Sequence, residues 1–357
     1  MPSMRLRELG ITIGRFQTGP FNAITDVQGV TVGHCTLIYD QPRVARTGIT
    51  MILPRGEKIW TDYCFAGFHV QNGNGEMTGA LWIAETGLLC SPIALTNTFQ
   101  VGIVRDALIE YAVKHGYPQT ESSDLPVVAE TYDGWLNDIA AFHLKKEHVF
   151  AALENANSGP VAEGNVGGGT GMTCHEFKGG IGSASRIVDT DSGSFTLGAL
   201  VQANYGDRHL LRVDGIPVGR IIGKEEPPLP WPEPPLTNSI IVVIATDAPL
   251  LPVQCQRLAR RASVGLARVG GVSSNADGDI FLAFATGNHM PCEPQTAIPL
   301  QMLPHEQLSL FFEAAAESVQ EAILNALTTA ETMTGFEGRT AYALPVKRLS
   351  EIVRQYT

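Results

Sequence analysis

A serine heads the most apolar run in the chain. The run is Ser239-Ile240-Ile241-Val242-Val243-Ile244-Ala245-Thr246, and Thr237-Asn238 leads into it. A hydroxyl at that place either satisfies a strand-end backbone group or serves as an N-terminal nucleophile. In the second reading Ser239 Oγ attacks the carbonyl of Asn238, the peptide becomes an ester, and hydrolysis frees the α-amine of Ser239. With a pKa of roughly 7.7–8.0, that amine is a general base for its own hydroxyl at neutral pH. The upstream segment suits scission. Between Gly223 and Asn238 lie Pro227, Pro228, Pro230, Pro232, Pro234 and Pro235. Proline lacks the ladder donor, so an exposed, extended loop is expected there, either an interdomain linker or slack for two new chain ends.

Four more groups of residues have chemical potential. Gly164-Asn165-Val166-Gly167-Gly168-Gly169-Thr170-Gly171 is rich enough in glycine for backbone N–H groups to converge on an anion, or to form a tight structural loop. It lacks the Lys-Ser/Thr pair of a phosphate-binding P-loop. Glu130-Thr131-Tyr132-Asp133-Gly134 ends an apolar run; Glu130 can pair with an ammonium and Tyr132 can donate a hydrogen bond, or the segment is a simple turn. Asn204, closing Gln202-Ala203-Asn204, offers a neutral amide to an oxyanion or forms a turn. Asp277-Gly278-Asp279 precedes another apolar run; its carboxylates can orient a base or amine, hold a cation, or make a turn.

These groups need elements to hold them. Val101 to Lys114 has apolar positions near a 3.6-residue period and stops at Gly116, predicting a helix. Leu125 to Glu130, Phe195 to Asn204, Ser239 to Thr246 and Ile280 to Thr286 are expected as strands, the third buried on both faces. Pro252 to Arg268 and His305 to Thr328 are expected as helices, the latter with Phe311, Ala315, Val319, Ala322, Ile323 and Ala326 on one stripe. Pro345 opens a terminal helix carrying Leu349, Ile352, Val353 and Tyr356. Strands and helices without strict alternation favour a layered α+β architecture.

Composition serves mainly to exclude. The chain has 357 residues, 37 of them glycine, and 17% charged residues against about 25% in a typical soluble protein. That excludes disorder, coiled coil and collagen. A net charge of −11 disfavours nucleic acid and anionic membranes, and Arg257, Arg260 and Arg261 are spaced as a solvated helix face. No run reaches the roughly 18–20 apolar residues of a membrane span. Met1 to Arg15 lacks a secretory h-region, so the chain reads as cytoplasmic, or as periplasmic had a signal been removed. The cysteines, Cys35, Cys64, Cys90, Cys174, Cys255 and Cys292, have no C-x-x-C spacing and read as scattered buried thiols. His34-Cys35 and Cys174-His175 would point to opposite faces of a strand, so no metal site is expected.

Taken together the motifs resemble the L-aminopeptidase/D-esterase (DmpA-type) and β-peptidyl aminopeptidase family of self-processing serine hydrolases. The resemblance begins at Gly10-Ile11-Thr12-Ile13-Gly14 and Asn22-Ala23-Ile24-Thr25-Asp26-Val27. It passes through Val32-Gly33-His34 and the glycine run, and is most specific in Asn238-Ser239-Ile240-Ile241-Val242-Val243-Ile244-Ala245-Thr246-Asp247-Ala248-Pro249-Leu250. It implies a four-layer αββα sandwich resembling N-terminal-nucleophile hydrolases with different strand connectivity. It also implies cleavage of one domain, 1–357, between Asn238 and Ser239 into an α chain, 1–238, and a β chain, 239–357.

The resemblance assigns roles as well. Ser239 is the implied nucleophile and Asn204 the oxyanion donor, with backbone support from Gly168 and Gly169. Glu130 would accept the substrate's amine, and Tyr132 would be an active-site phenol. Asp277 and Asp279 stand where the family has a Ser-x-acid pair that orients the nucleophile; aspartate at 277 adds negative charge and can hold the amine of Ser239 protonated. The implied substrate is a small peptide, amide or ester with a free amine, hydrolysed through an aminoacyl-Ser239 intermediate without a cofactor. Tetramers of αβ units are implied too. The competing readings are a nucleotide-binding protein using residues 164–171 and a non-catalytic relative.

Overall fold

The computed structural model describes residues 4–118, 125–231 and 238–356. In chain order its first elements are β1 (Thr31–Tyr39), β2 (Ala45–Glu57), β3 (Asp62–Val70), α1 (Ala80–Thr86), β4 (Leu88–Leu89), β5 (Ile93–Asn97), α2 (Val101–Lys114), β6 (Val127–Thr131) and α3 (Lys146–Glu154). Then come β7 (Thr173–Cys174), β8 (Phe177–Lys178), β9 (Gly180–Thr190), β10 (Gly193–Asn204), α4 (Val218–Ile222) and β11 (Asn238–Thr246). The last are α5 (Pro252–Ala259), α6 (Ala262–Val269), β12 (Asp277–Pro291), α7 (Leu308–Thr328), β13 (Met333–Thr334), β14 (Thr340–Ala341) and α8 (Val346–Arg354).

Two sheets stack face to face. One has the order β1-β2-β5-β6; the other is β4-β3-β12-β11-β10-β9. Helices α2 and α3 pack on the outside of the first sheet, and α5 and α7 on the outside of the second. The result is an αββα sandwich, as the sequence led us to expect. Strand side chains alternate between faces, and β11 shows it plainly. Ile240, Val242 and Ile244 join the core under the helices, whereas Ile241, Val243 and Ala245 join the core between the sheets. Burying each such side chain stabilises the fold by roughly 1.5–3 kcal/mol, so the register of β11 is fixed by both layers at once.

Several boundaries depart from expectation for physical reasons. The strand expected from Leu125 starts at Val127, because Pro126 has no N–H for the ladder. The strand expected from Ile280 starts at Asp277, since β12 pairs in parallel with β11 from Asn238 onward. The helix expected over Pro252 to Arg268 is two helices, interrupted at Arg260 and Arg261; the first half packs on β3 and β12, the second on α7. Tyr356 lies beyond α8 and is exposed. The proline segment folds back as far as Trp231, which is buried and meets Trp135 edge-on at 5.1 Å. The buried Arg208 stacks on Phe177 and donates to the carbonyls of Gly223, Pro227 and Pro228. Pro232, Pro234 and Pro235 lie outside the described residues.

Segments on either side of Asn238 are joined by a buried ionic network. Arg186 of β9, fully buried, donates to Glu317 and Glu321 of α7 at 2.9 and 2.7 Å, and Arg7 reaches Glu321 at 2.8 Å. Glu317 and Glu321 are one helical turn apart, so both carboxylates face β9. Removing one member strands the others without water. Arg186→Met should therefore lower unfolding stability by about 3–5 kcal/mol, read as a reduced urea midpoint. A midpoint unchanged within error would show the network to be dispensable.

Candidate active site

The sheet parity that buries β11 also aims Ser239. It shares the face of Ile241 and Val243, so its side chain points between the sheets. Asn204 is its register partner on the antiparallel neighbour β10, and Gln202 shares that face. From the opposite sheet, β5 and β6 bring Thr96 and Thr131 to meet Gln202. Gln202 Nε2 donates to Thr96 O at 2.9 Å and Thr131 Oγ1 at 2.8 Å. The site is the end of the inter-sheet layer.

Ser239 is 3% exposed. Its hydroxyl donates to Asn238 O at 2.6 Å, against the peptide it would attack. Asn204 is held at both ends of its amide. Thr173 N and Thr173 Oγ1 donate to its Oδ1 at 2.9 and 3.3 Å, and its Nδ2 donates to Tyr132 O at 3.0 Å. That network fixes which end of the amide carries the N–H groups. Tyr132 thus contributes its carbonyl; its half-buried ring folds over Gly134, where a Cβ would lie 2.3 Å from the phenol oxygen.

Glu130 is 3% exposed. Its Oε1 accepts from Glu76 N at 3.0 Å and its Oε2 accepts from Thr98 Oγ1. Burial raises its pKa despite both bonds, and no cation pairs with it among the described residues. A buried carboxylate with neutral donors and no counter-ion is a place for an incoming ammonium.

Residues 71–78 strap the two halves of the site together. Gln71 N and Asn74 N donate to Asp279 O and Asp277 O at 2.9 and 3.3 Å, and Thr78 N donates to Val128 O of β6 at 2.9 Å. Gly75 lies between Gly278, the register partner of Ser239, and the Glu130 carboxylate. A Cβ on Gly75 would stand 3.1 Å from Gly278 Cα and 3.4 Å from Glu130 Oε1. Gly278 must be glycine, because a Cβ there would meet Asn74 O at 2.3 Å.

Asp277 and Asp279 share the parity of Phe281 and Ala283, on the helix side of the sheet. Asp279 reaches the nucleophile's strand through the backbone, its Oδ1 accepting from Ile240 N at 3.2 Å. Burial pushes its pKa up to about 6. Asp277 Oδ2 accepts from Ser274 N at 2.6 Å, while its Oδ1 is buried without a hydrogen-bond partner among the described residues.

The glycine run does not offer the free donors expected of it. Gly168 N donates to Thr50 Oγ1 at 3.1 Å and Gly169 N to Val166 O at 2.9 Å, so neither amide is open to substrate or phosphate. These glycines are packing devices: a Cβ on Gly168 would lie 2.0 Å from Gln202 Oε1, and one on Gly169 would lie 2.4 Å from Ile181 N. The nucleotide reading loses its cradle.

Sequence reasoning missed Glu76, Thr98, Thr173 and Lys178. Glu76 acts through its backbone, and the others need the sheets assembled before their partners exist. Of these, only Lys178 left a trace in the sequence, as a lysine four residues beyond Cys174 and just before Gly179-Gly180-Ile181-Gly182.

Comparison with known proteins gives this arrangement its class. Residues 22–341 match Peptidase family S58, and the chain belongs to that family. It is a hydrolase, an aminopeptidase. Among its relatives is the beta-peptidyl aminopeptidase BapA of Sphingosinicella microcystinivorans, 46% identical, with 99% of this chain and 92% of that protein covered. A solved Burkholderia sp. beta-aminopeptidase is 52% identical with a TM-score of 0.93, covering 99% of both chains. The L-aminopeptidase D-Ala-esterase/amidase of Ochrobactrum anthropi is 44% identical with a TM-score of 0.90, covering 99% of this chain and 98% of that one. Its structure is described as a prototype for the serine aminopeptidases and a new variant among the Ntn hydrolase fold, the fold class of this chain. Among the described residues no helix is long and apolar enough to cross a membrane.

The Glu130-to-Gly134 segment yields a pH prediction. Asp133 is fully buried; Asn137 Nδ2 donates to its Oδ1 at 3.1 Å, and its Oδ2 has no hydrogen-bond partner among the described residues. Burial pushes its pKa from 3.8 up to about 7. A carboxyl whose pKa rises on folding costs stability as pH rises from 3.8 to about 7, and no more beyond. Asp133→Asn, neutral throughout, should gain on the wild type by on the order of 2 kcal/mol between pH 5 and pH 8 in urea titrations. A pH-independent difference would contradict this.

Proposed function

We propose that this aminopeptidase matures by cutting its own chain between Asn238 and Ser239 and uses the freed serine as its nucleophile. The observation that carries the reading is the Ser239 hydroxyl, 2.6 Å from Asn238 O at the start of a strand locked on both faces. Ser239 Oγ adds to the Asn238 carbonyl carbon, and the tetrahedral adduct collapses as the Ser239 nitrogen leaves with a proton. Water hydrolyses the resulting ester, giving the Asn238 carboxylate, the restored hydroxyl and a free α-amine. The same hydroxyl then attacks substrate, with that amine as general base.

In the substrate cycle the ammonium docks on Glu130, whose buried, unpaired carboxylate favours a cation. Asn204 Nδ2, opposite Ser239, donates to the developing oxyanion; one such donor is commonly worth about 10²–10³ in kcat. Tyr132 fixes that amide through its carbonyl. Asp279 and Asp277 hold the start of β11 and the strap against it. An aminoacyl-Ser239 ester forms, the amine leaving group departs with the proton, and water releases the amino acid. The strap's approach between Glu130 and Gly278 limits the depth of the site, which suits small amine-bearing peptides, amides and esters. The relatives' names point to β-aminoacyl and to L-aminoacyl or D-alanyl substrates, which parallel assays of the corresponding p-nitroanilides would rank. We take the processed protein to assemble as a homo-oligomer, a tetramer of αβ units, which would cover exposed apolar side chains such as Leu81, Phe99 and Phe142.

Wild-type protein should run as two fragments of about 25.5 and 12.8 kDa, shares of 38.3 kDa in proportion to 238 and 119 residues. The smaller should begin at Ser239. Ser239→Ala should stay whole and inactive. An intact wild type that hydrolyses aminoacyl amides would overturn the mechanism. Glu130→Gln should mature normally but raise KM about 10- to 100-fold, as expected for loss of a buried charge partner; an unchanged KM would remove Glu130 from amine binding.

A further inference from the structure

Lys178 is fully buried, which lysine tolerates only when its ammonium finds partners. Among the described residues no carboxylate pairs with it. Its Nζ instead donates to three carbonyls around the base of the β7-β8 hairpin turn: Gly179 O at 2.7 Å, Met172 O at 2.8 Å and Gly169 O at 3.3 Å. Gly179 N closes the same turn on Met172 O at 2.9 Å, and Lys178 N is tied to Tyr342 O at 2.7 Å. Burial draws the pKa of Lys178 down to about 7, the direction expected of a lysine without an acidic partner.

One of those three carbonyls leads to the site. The Met172–Thr173 peptide accepts from Lys178 on its oxygen, and its N–H donates to Asn204 Oδ1 at 2.9 Å. Asn204 in turn is the register partner of Ser239, and its Nδ2 donates to Tyr132 O at 3.0 Å. The amine, the peptide and the side-chain amide form one head-to-tail line of dipoles. Each bond in such a line polarises the next.

We propose that Lys178 is a positioning residue for acyl transfer, holding and polarising the Asn204 amide through the Met172–Thr173 peptide. The proposal rests on Asn204 being the oxyanion donor. Lys178 itself touches neither substrate nor nucleophile, so its loss acts on the rate of the chemical step and leaves amine binding at Glu130 intact.

The test is a double-mutant cycle between Lys178→Met and Asn204→Ala. It is read as the rate at which the full chain cuts itself and, on cleaved protein, as kcat and KM for an aminoacyl p-nitroanilide. Lys178→Met alone should slow self-cleavage and lower kcat about 10- to 100-fold, with KM within about threefold. In the Asn204→Ala background it should cost little more, because groups acting in series are not additive. Lys178→Arg, a cation of similar size, should recover part of the rate. Should the methionine variant not fold, Lys178→Arg carries the same cycle, with a smaller loss that vanishes beside Asn204→Ala. Additive losses, or an unchanged kcat in a folded Lys178→Met protein, would overturn the proposal. A normal rate in Asn204→Ala would instead sink the oxyanion reading, and this inference with it.

Discussion

Strand β11 has a hydrogen-bonded neighbour on each edge and a packed apolar layer on each face. Slipping it by one residue would turn both sets of side chains into the wrong layer, so its register is over-determined. The same constraint fixes where Ser239 points. Its partners inherit their places from the ladder: Asn204 across the antiparallel edge, Gly278 across the parallel one. A strained or tense peptide at Asn238–Ser239 need not be invoked. The strand holds one side of that bond, and Arg208 with Trp231 secures the approach on the other as far as residue 231.

Around this rigid element the protein buries an unusual set of ionisable groups, each treated differently. Arg186 is compensated by Glu317 and Glu321. Among the described residues Lys178 is met only by carbonyls, and Glu130 only by a backbone N–H and a hydroxyl. The first arrangement is self-contained and structural. The other two leave charge uncompensated by any opposite charge, in a region where electrostatic interactions are strong because water is excluded. Glu130 lies near the end of β6 in one sheet, and Lys178 lies in the separate β7-β8 hairpin, one peptide from Asn204. An uncompensated carboxylate suits a cationic substrate terminus, and an uncompensated lysine behind Asn204 suits an oxyanion.

The glycine-rich run shows how a motif can be noticed for the wrong reason. Its density suggested free amides, but Gly168 and Gly169 have theirs bonded inside the protein and serve by being small. The hydroxyls of Thr36 and Thr50 that take up amides of this run lie more than a hundred residues upstream. Asp277 and Asp279, for which a turn was one of several readings, sit in the ladder, where parity turns them away from the Ser239 hydroxyl. The helix at 252–268 breaks because its two halves face different neighbours. In each case the local pattern was right about composition and silent about which distant segment would arrive.

The sequence by itself determined the layered α+β class, the doubly buried strand behind Ser239 and the helix from Val101 to Lys114, and it marked Ser239, Asn204 and Glu130 one by one as groups with chemical potential. These depend on periodicity, on glycine and proline, and on motifs contiguous in the chain. The tertiary structure alone decided that residues 71–78 bridge the site, that Glu76 and Thr98 hold Glu130, and that Lys178 stands one peptide from Asn204. The reason is physical. A hydrogen bond between residues tens of positions apart has no local signature, and it forms only once two sheets have closed over one layer and excluded the water that would otherwise compete for it.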